Sequence, residues 1–180
     1  IDQFGGSPVN YILLAGYNRA RRLIAGVGEY EQASAAQIDK AAAQIAHEIE
    51  AGASGVSFGV EYDPGITEDE VVRVLLAQKQ KGLFAAMHYR ADGKDAIDSI
   101  EEMIRIAQRS GARFQISHLS SCSAMGQMKE ALALINKAVR ENPLLDYDTY
   151  PYNAFCTFIG SAVFDGDSFE QWQAQNADVM

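Results

Sequence analysis

What this sequence has little of narrows it first. Only two cysteines, Cys122 and Cys156, stand in 180 residues. That is too few for a disulfide framework, and with no signal peptide in view a reduced, cytoplasmic setting is the expectation. Positive charge is scarce as well: 15 Lys and Arg against 24 Asp and Glu leave a net charge of −9. Such a surface repels phosphate backbones and anionic headgroups, so neither nucleic acid nor a membrane is an expected partner. No apolar run approaches the ~20 residues that a membrane helix needs. A glycine-rich phosphate loop is missing too. Gly52, Gly55 and Gly59 fall before and inside an apolar run, not at a strand-to-helix turn, which argues against a dinucleotide site.

What is present is a regular alternation. Apolar runs at 9–16, 55–60, 83–88, 113–119 and 144–152 are rich in Val, Ile, Leu, Phe or Tyr and show no strict polar alternation. That is how buried parallel strands read. Helical stretches lie between them, with visible punctuation. Ser34 is placed to cap a helix carrying Ile38, Ile45 and Ile49; Thr67 with Glu70 fits a capping box ahead of Val71, Val74 and Leu75. Asp95 is a candidate cap for the helix of Ile97, Ile100 and Ile104, which Gly111 stops. Met128, Leu132, Ile135 and Val139 mark a fourth, with Pro143 beyond it. The order is β-α-β-α-β-α-β-α-β, with the last four strands about 30 residues apart, the length of one βα unit. A parallel sheet with right-handed crossovers follows. An open doubly wound sheet and a barrel both fit. After Tyr152 the pattern fades, and 153–180 reads as a loop and helix extension over the mouth of the sheet.

In parallel α/β folds the chemistry sits at the carboxyl ends of the strands. The third run ends on His88, the fourth on His118, the second on Glu61-Tyr62 and the fifth on Asp148-Thr149-Tyr150-Pro151-Tyr152. With side chains alternating along a strand, Phe84, Ala86 and His88 share one face, and Phe114, Ile116 and His118 another. If both faces line a barrel interior, two imidazoles meet at its rim, an arrangement suited to zinc. Either histidine alone reads as a hydrogen-bonded strand-end residue; the repetition on neighbouring strands is what favours metal. His47 lies within a helix and reads as structural. A third ligand could come from Glu61, Asp148 or Cys122, though a salt-bridge partner, a turn residue and a small loop residue are the plainer readings. Tyr150 and Tyr152 flank a proline that ends the strand, so their phenols project near the site.

Taken together, EAGASGVSFGVEYDPG (50–65), MHYR (87–90), ISHLSS (116–121) and DTYPYNAFCT (148–157), with PVNYILLAGYNRAR (8–21) ahead of them, resemble the N-acyl-D-amino-acid deacylases of the amidohydrolase superfamily. The resemblance runs from Pro8 to about Thr157. It implies a partial (β/α)₈ barrel of the metal-dependent hydrolase type, residues 1–180 forming one partial barrel domain. It further implies one or two divalent ions, zinc above all, with His88 and His118 among the ligands. Tyr152, with Tyr150 second, would hold a substrate carboxylate. Arg90 would assist electrostatically, with a salt-bridge role slightly preferred for it. The implied reaction is hydrolysis of a linear amide, the substrate a small N-acylated amino acid or related amide.

The departures matter as much. The family's first-strand histidine pair, its metal-binding cysteine and its catalytic aspartate have no counterpart, so the chain reads as an internal part of a longer protein, with little turnover expected of it alone. Ser120 stands where many members carry a lysine that meets an acidic substrate group, and is carried as a candidate substrate contact. Five strands cannot close an eight-stranded barrel, which predicts self-association through an open edge or a sheet patched by 153–180. Two rivals remain. A cyclic amidase of the dihydroorotase or hydantoinase kind would carry a carboxylated lysine at a strand end, and none of these ends has one suitably placed. A non-catalytic scaffold would keep the same strands as packing and bind no metal.

Overall fold

The computed structural model describes residues 8–78, 82–123 and 125–178. Five parallel strands, β1 (Leu14–Gly16), β2 (Gly55–Gly59), β3 (Phe84–His88), β4 (Arg113–Ile116) and β5 (Leu145–Tyr147), lie side by side in the order 1-2-3-4-5. The connecting helices are α2 (Ala35–Glu50), α3 (Glu68–Ala77), α4 (Ala96–Ser110) and, after the short α5 (Leu119–Ser123), α6 (Met128–Glu141); α2, α3, α4 and α6 each pack on the next. Single winding of this kind belongs to a barrel; a doubly wound sheet would reverse its strand order. The sheet therefore decides between the two folds that the periodicity left open.

Why these segments form these elements is local chemistry. Ser34 caps α2 through a full capping box: its backbone N–H donates to Gln37 Oε1 at 2.9 Å, and its hydroxyl accepts from the Gln37 amide. At α3 only half of the expected box is made. Thr67 Oγ1 accepts from the Glu70 amide at 3.1 Å, but the Glu70 carboxylate turns inward. There it takes the Tyr17 hydroxyl at 2.7 Å and Arg21 Nε at 2.8 Å, with both charged partners fully buried. This ion pair fastens the helical stretch after β1, α1 (Tyr17–Arg19) and the π-helical turn Ala20–Ala25, to α3. Asp95 does occupy the position before α4, without a side-chain capping bond, and Gly111 closes that helix at φ 62°.

The strands are shorter than the apolar runs that announce them. Residues 9–13 lie outside the ladder, and β4 and β5 stop at Ile116 and Tyr147. One face of the sheet supplies the core: Ala15, Val56, Phe58, Ala85, Met87, Phe114, Ile116 and Leu145 are buried against Ile45, Val71, Val74, Ile100, Met103, Ile106 and Ile135. Each of the Val, Leu, Ile, Met and Phe side chains among them contributes roughly 1.5–3 kcal/mol. The opposite face carries Ser57, Ala86, His88 and Gln115, all half-buried. On it a Cβ at Gly55 would lie 2.0 Å from the Phe84 carbonyl oxygen, so the close approach of β2 to β3 requires glycine there.

Beyond β5 the chain folds back over the carboxyl ends of the strands in short turns, with one α-helical stretch, α7 (Ser168–Gln171), between the 3-10 turns Ala162–Phe164 and Asn176–Asp178. Phe155, Phe164, Phe169 and Trp172 form its small aromatic core, with ring centroids 5.4–6.1 Å apart. Tyr62 stacks on Phe158 and bonds Thr157 at 2.9 Å. Gly93, at φ 59°, lets the Gln171 carbonyl come within 2.6 Å of where a side chain would begin. Among the described residues no helix is long and apolar enough to cross a membrane.

Candidate functional site

A cavity of about 320 Å³ opens at the carboxyl ends of β2, β3 and β4. Glu61, Tyr62, His88, Asp92, His118 and Ser121 form its floor; Tyr150, Tyr152, Phe155, Cys156 and Val163 form its wall. Its size is that of a small-molecule pocket.

The two histidines meet there. Their ring centroids are 4.6 Å apart and the planes nearly perpendicular. They do not arrive by the same route. His88 closes β3 on the half-buried face, in line with Phe84 and Ala86, as alternation predicts. For β4 the alternation argument needs correcting. Phe114 pairs with Ala85 and Ile116 with Met87, so both face the helices, opposite to His88. By parity His118 would follow them into the core. Instead the strand ends at Ile116 and His118 adopts φ 39°, a left-handed backbone uncommon outside glycine, which turns its ring into the cavity.

Asp148 supports that turn. Its carboxylate accepts the His118 amide on one oxygen and the Gln115 side chain on the other, while its carbonyl accepts Leu119 N–H at 2.8 Å. It does not line the cavity, so its observed role is to shape the loop. His118 Nδ1 lies 3.0 Å from Ser121 Oγ and 3.2 Å from the Tyr89 hydroxyl. His88 Nε2 lies 3.0 Å from Glu61 Oε2, and His88 Nδ1 is buried with no hydrogen-bond partner. Burial holds both imidazoles neutral: His88 is pushed down to about 4, and His118 is lowered by burial and then by His88. The carboxyls move the other way. Burial raises Glu61 to about 7, and burial followed by the Glu61 charge raises Asp92 to about 7.

Of the expected substrate contacts, the structure brings Tyr150 and Tyr152 to the cavity, stacked at 6.1 Å, with Tyr150 6.5 Å from the His118 ring. It does not bring Arg90 or Ser120. Arg90 turns away to grip Glu102 with two bonds of 2.7 and 2.9 Å and the carbonyls of Ile66 and Pro64, tying the loop after β2 to α4. Ser120 is buried and accepts the Tyr150 amide at 3.4 Å, so it sits beneath the tyrosine rather than facing substrate. His47 is exposed on α2. The side chain of Cys122 lies outside the described residues.

Sequence reasoning missed Asp92 and Ser121, and it placed Tyr62 at a strand end without giving it a role. Asp92 follows the end of β3 by a few residues, and a wider reading of that end would have included it. The contribution of Phe155 and Val163 depends on how the last segment folds back, which no local pattern announces.

The residues fit a divalent cation in part. Two neutral imidazoles, one with a buried and unanswered nitrogen, are suitable donors. Among the described residues, no three His, Cys, Asp or Glu side chains converge to hold an ion unaided.

No family model matches the chain. It is 29% identical over 122 residues to the N-acyl-D-glutamate deacylase of Alcaligenes xylosoxydans xylosoxydans, a match covering 64% of this chain and 24% of that protein. A D-aminoacylase variant solved with copper chloride superimposes with a TM-score of 0.74 at 27% identity, covering 82% of this chain and 32% of the other. Further D-aminoacylase structures describe an amidohydrolase and a binuclear metal centre. The fold alone is shared with the N-acyl-D-glutamate deacylase of Bordetella bronchiseptica, solved with zinc and a phosphonate mimic of the tetrahedral intermediate: TM-score 0.69, 24% identity, 80% of this chain and 31% of that one. The chain thus spans about a quarter to a third of these proteins, and over that stretch it is similar, in sequence and in fold, to the D-aminoacylases of the amidohydrolase type.

Proposed function

We propose that the chain carries part of the active site of a metal-dependent amidohydrolase that cleaves the linear amide of an N-acylated amino acid. The observation that carries this reading is the pair of imidazoles, His88 and His118, 4.6 Å apart at the mouth of adjacent parallel strands. Similarity to deacylases whose structures hold zinc or copper supports it.

His88 and His118 would be two ligands of a zinc ion. Held there, such an ion supplies Lewis acidity toward an amide carbonyl and the attacking water. The chain's own groups do the rest of what is visible. Asp148 holds the His118 backbone, and Ser121 and Tyr89 fix its ring. Tyr152 and Tyr150 offer phenolic hydrogen bonds to a substrate carboxylate from the cavity wall. The segment around Phe155 and Val163 shields one side of the pocket from water.

Cobalt(II), a spectroscopic substitute for zinc, tests the metal reading. The chain should take up the ion with visible absorption that zinc abolishes. His88→Ala or His118→Ala should each weaken binding by more than about tenfold, since even outer-shell losses cost metal sites that much. His47→Ala should change nothing. Equal uptake by all four proteins would end the assignment.

A further inference from the structure

The cavity is strongly biased in charge. Two carboxyl groups, Glu61 and Asp92, line it together with the aromatic rings of Tyr62, Tyr150, Tyr152 and Phe155, and among its described lining residues there is no lysine or arginine. Acidic lining alone would mean little beside a metal centre. Asp92 adds a separate observation. It is 6% exposed and lines the cavity; Oδ2 accepts the Trp172 indole N–H at 3.1 Å, while Oδ1 has no partner at all. A buried carboxylate oxygen left unanswered is costly, and a bound donor removes that cost. Phe155, at about right angles to Trp172 with ring centroids 5.4 Å apart, lines the same cavity.

We infer that this end of the pocket is a subsite for a positively charged group, so that the preferred substrate carries a basic side chain on its acylated amino acid. The inference rests on the amide-substrate reading above and names the substrate class within it. A carboxylate among aromatic rings in one pocket is the usual chemistry of ammonium recognition. The same surroundings disfavour an acidic side chain, because a third negative charge would enter beside two others. Ser120, tucked under Tyr150, supplies no compensating cation.

Calorimetric titration of the chain at pH 8 with Nα-acetyl-D-lysine, N-acetyl-D-leucine and N-acetyl-D-glutamate, which share the α-carboxylate and differ in the side chain, tests this. The lysine probe should bind at least about tenfold tighter than the glutamate probe, equivalent to about 1.4 kcal/mol. Asp92→Asn, which keeps the shape and an acceptor for Trp172, should erase that preference, bringing the lysine probe to within a few-fold of the leucine probe. Phe155→Leu should weaken the lysine probe a few-fold. Comparable binding of the glutamate probe, no detectable lysine binding at about 10 mM, or an undiminished preference in Asp92→Asn would overturn the inference. So would loss of cobalt uptake in that variant, since Asp92 would then serve the ion. A lysine preference without any cobalt uptake would instead retain the subsite and sink the metal assignment.

Discussion

Asp92 is held in an environment that disfavours its charge, and the free protein bears the cost. Its carboxyl is raised from an ordinary aspartate value to about 7, first by burial and then by Glu61. A raised acid binds its proton more tightly folded than unfolded. Its contribution is therefore favourable below about pH 4 and is lost as pH climbs through about 7. Above that range the ionised group opposes folding. Asp92→Asn should accordingly stabilise the metal-free, ligand-free chain at pH 8 by about 1–3 kcal/mol, a gain of several degrees in Tm, and the gain should fade on acidification toward pH 4. Thermal melts of both proteins across that range check the sign. A variant less stable at pH 8 would mean that the carboxylate has a partner in the free state.

At the scale of elements, the first helical stretch is joined to α3 by a buried ion pair rather than by apolar contact alone. Arg21 also donates to the carbonyls of Gly28 and Glu31, so one guanidinium holds three parts of the chain. Arg21→Ala strands Glu70 without its cation and should cost about 3–5 kcal/mol in chemical denaturation, whereas Arg73→Ala, at an exposed pair with Asp39, should cost under about 1 kcal/mol. These pairs show where a linear reading stops. The strand and helix order was legible, because apolar runs and caps are local. So was the meeting of His88 with His118, although the alternation argument assigned Phe114 and Ile116 to the wrong face; a single left-handed residue, His118, reverses the parity of its strand end. Glu70 satisfied the letter of a capping box while its carboxylate answered to Arg21, 49 positions away. Arg90 sat in a motif and was claimed by Glu102. Long-range partners of charged groups are fixed by packing, and sequence spacing does not display them.

For the molecule as a whole, β1 and β5 are the edge strands of the sheet among the described residues, and its inner face is half-buried. Strand edges of this kind recruit other strands. Light scattering should show the 180-residue chain associating in a concentration-dependent manner, and a strictly monomeric species at high concentration would count against it. With two histidines as its assigned ligands and no assigned general base, the chain by itself should give little or no turnover of N-acetyl-D-amino acids; brisk zinc-dependent release of free amino acid would contradict the division of labour proposed here. The last segment bears on how such questions can be asked. Its Trp172 is the sole tryptophan in the chain, and its indole N–H rests on the carboxylate that lines the pocket. The molecule thus carries an intrinsic fluorophore wired to its own cavity. A ligand that engages Asp92 should shift the emission of an otherwise unlabelled protein, and the same titration on Trp172→Phe should be silent.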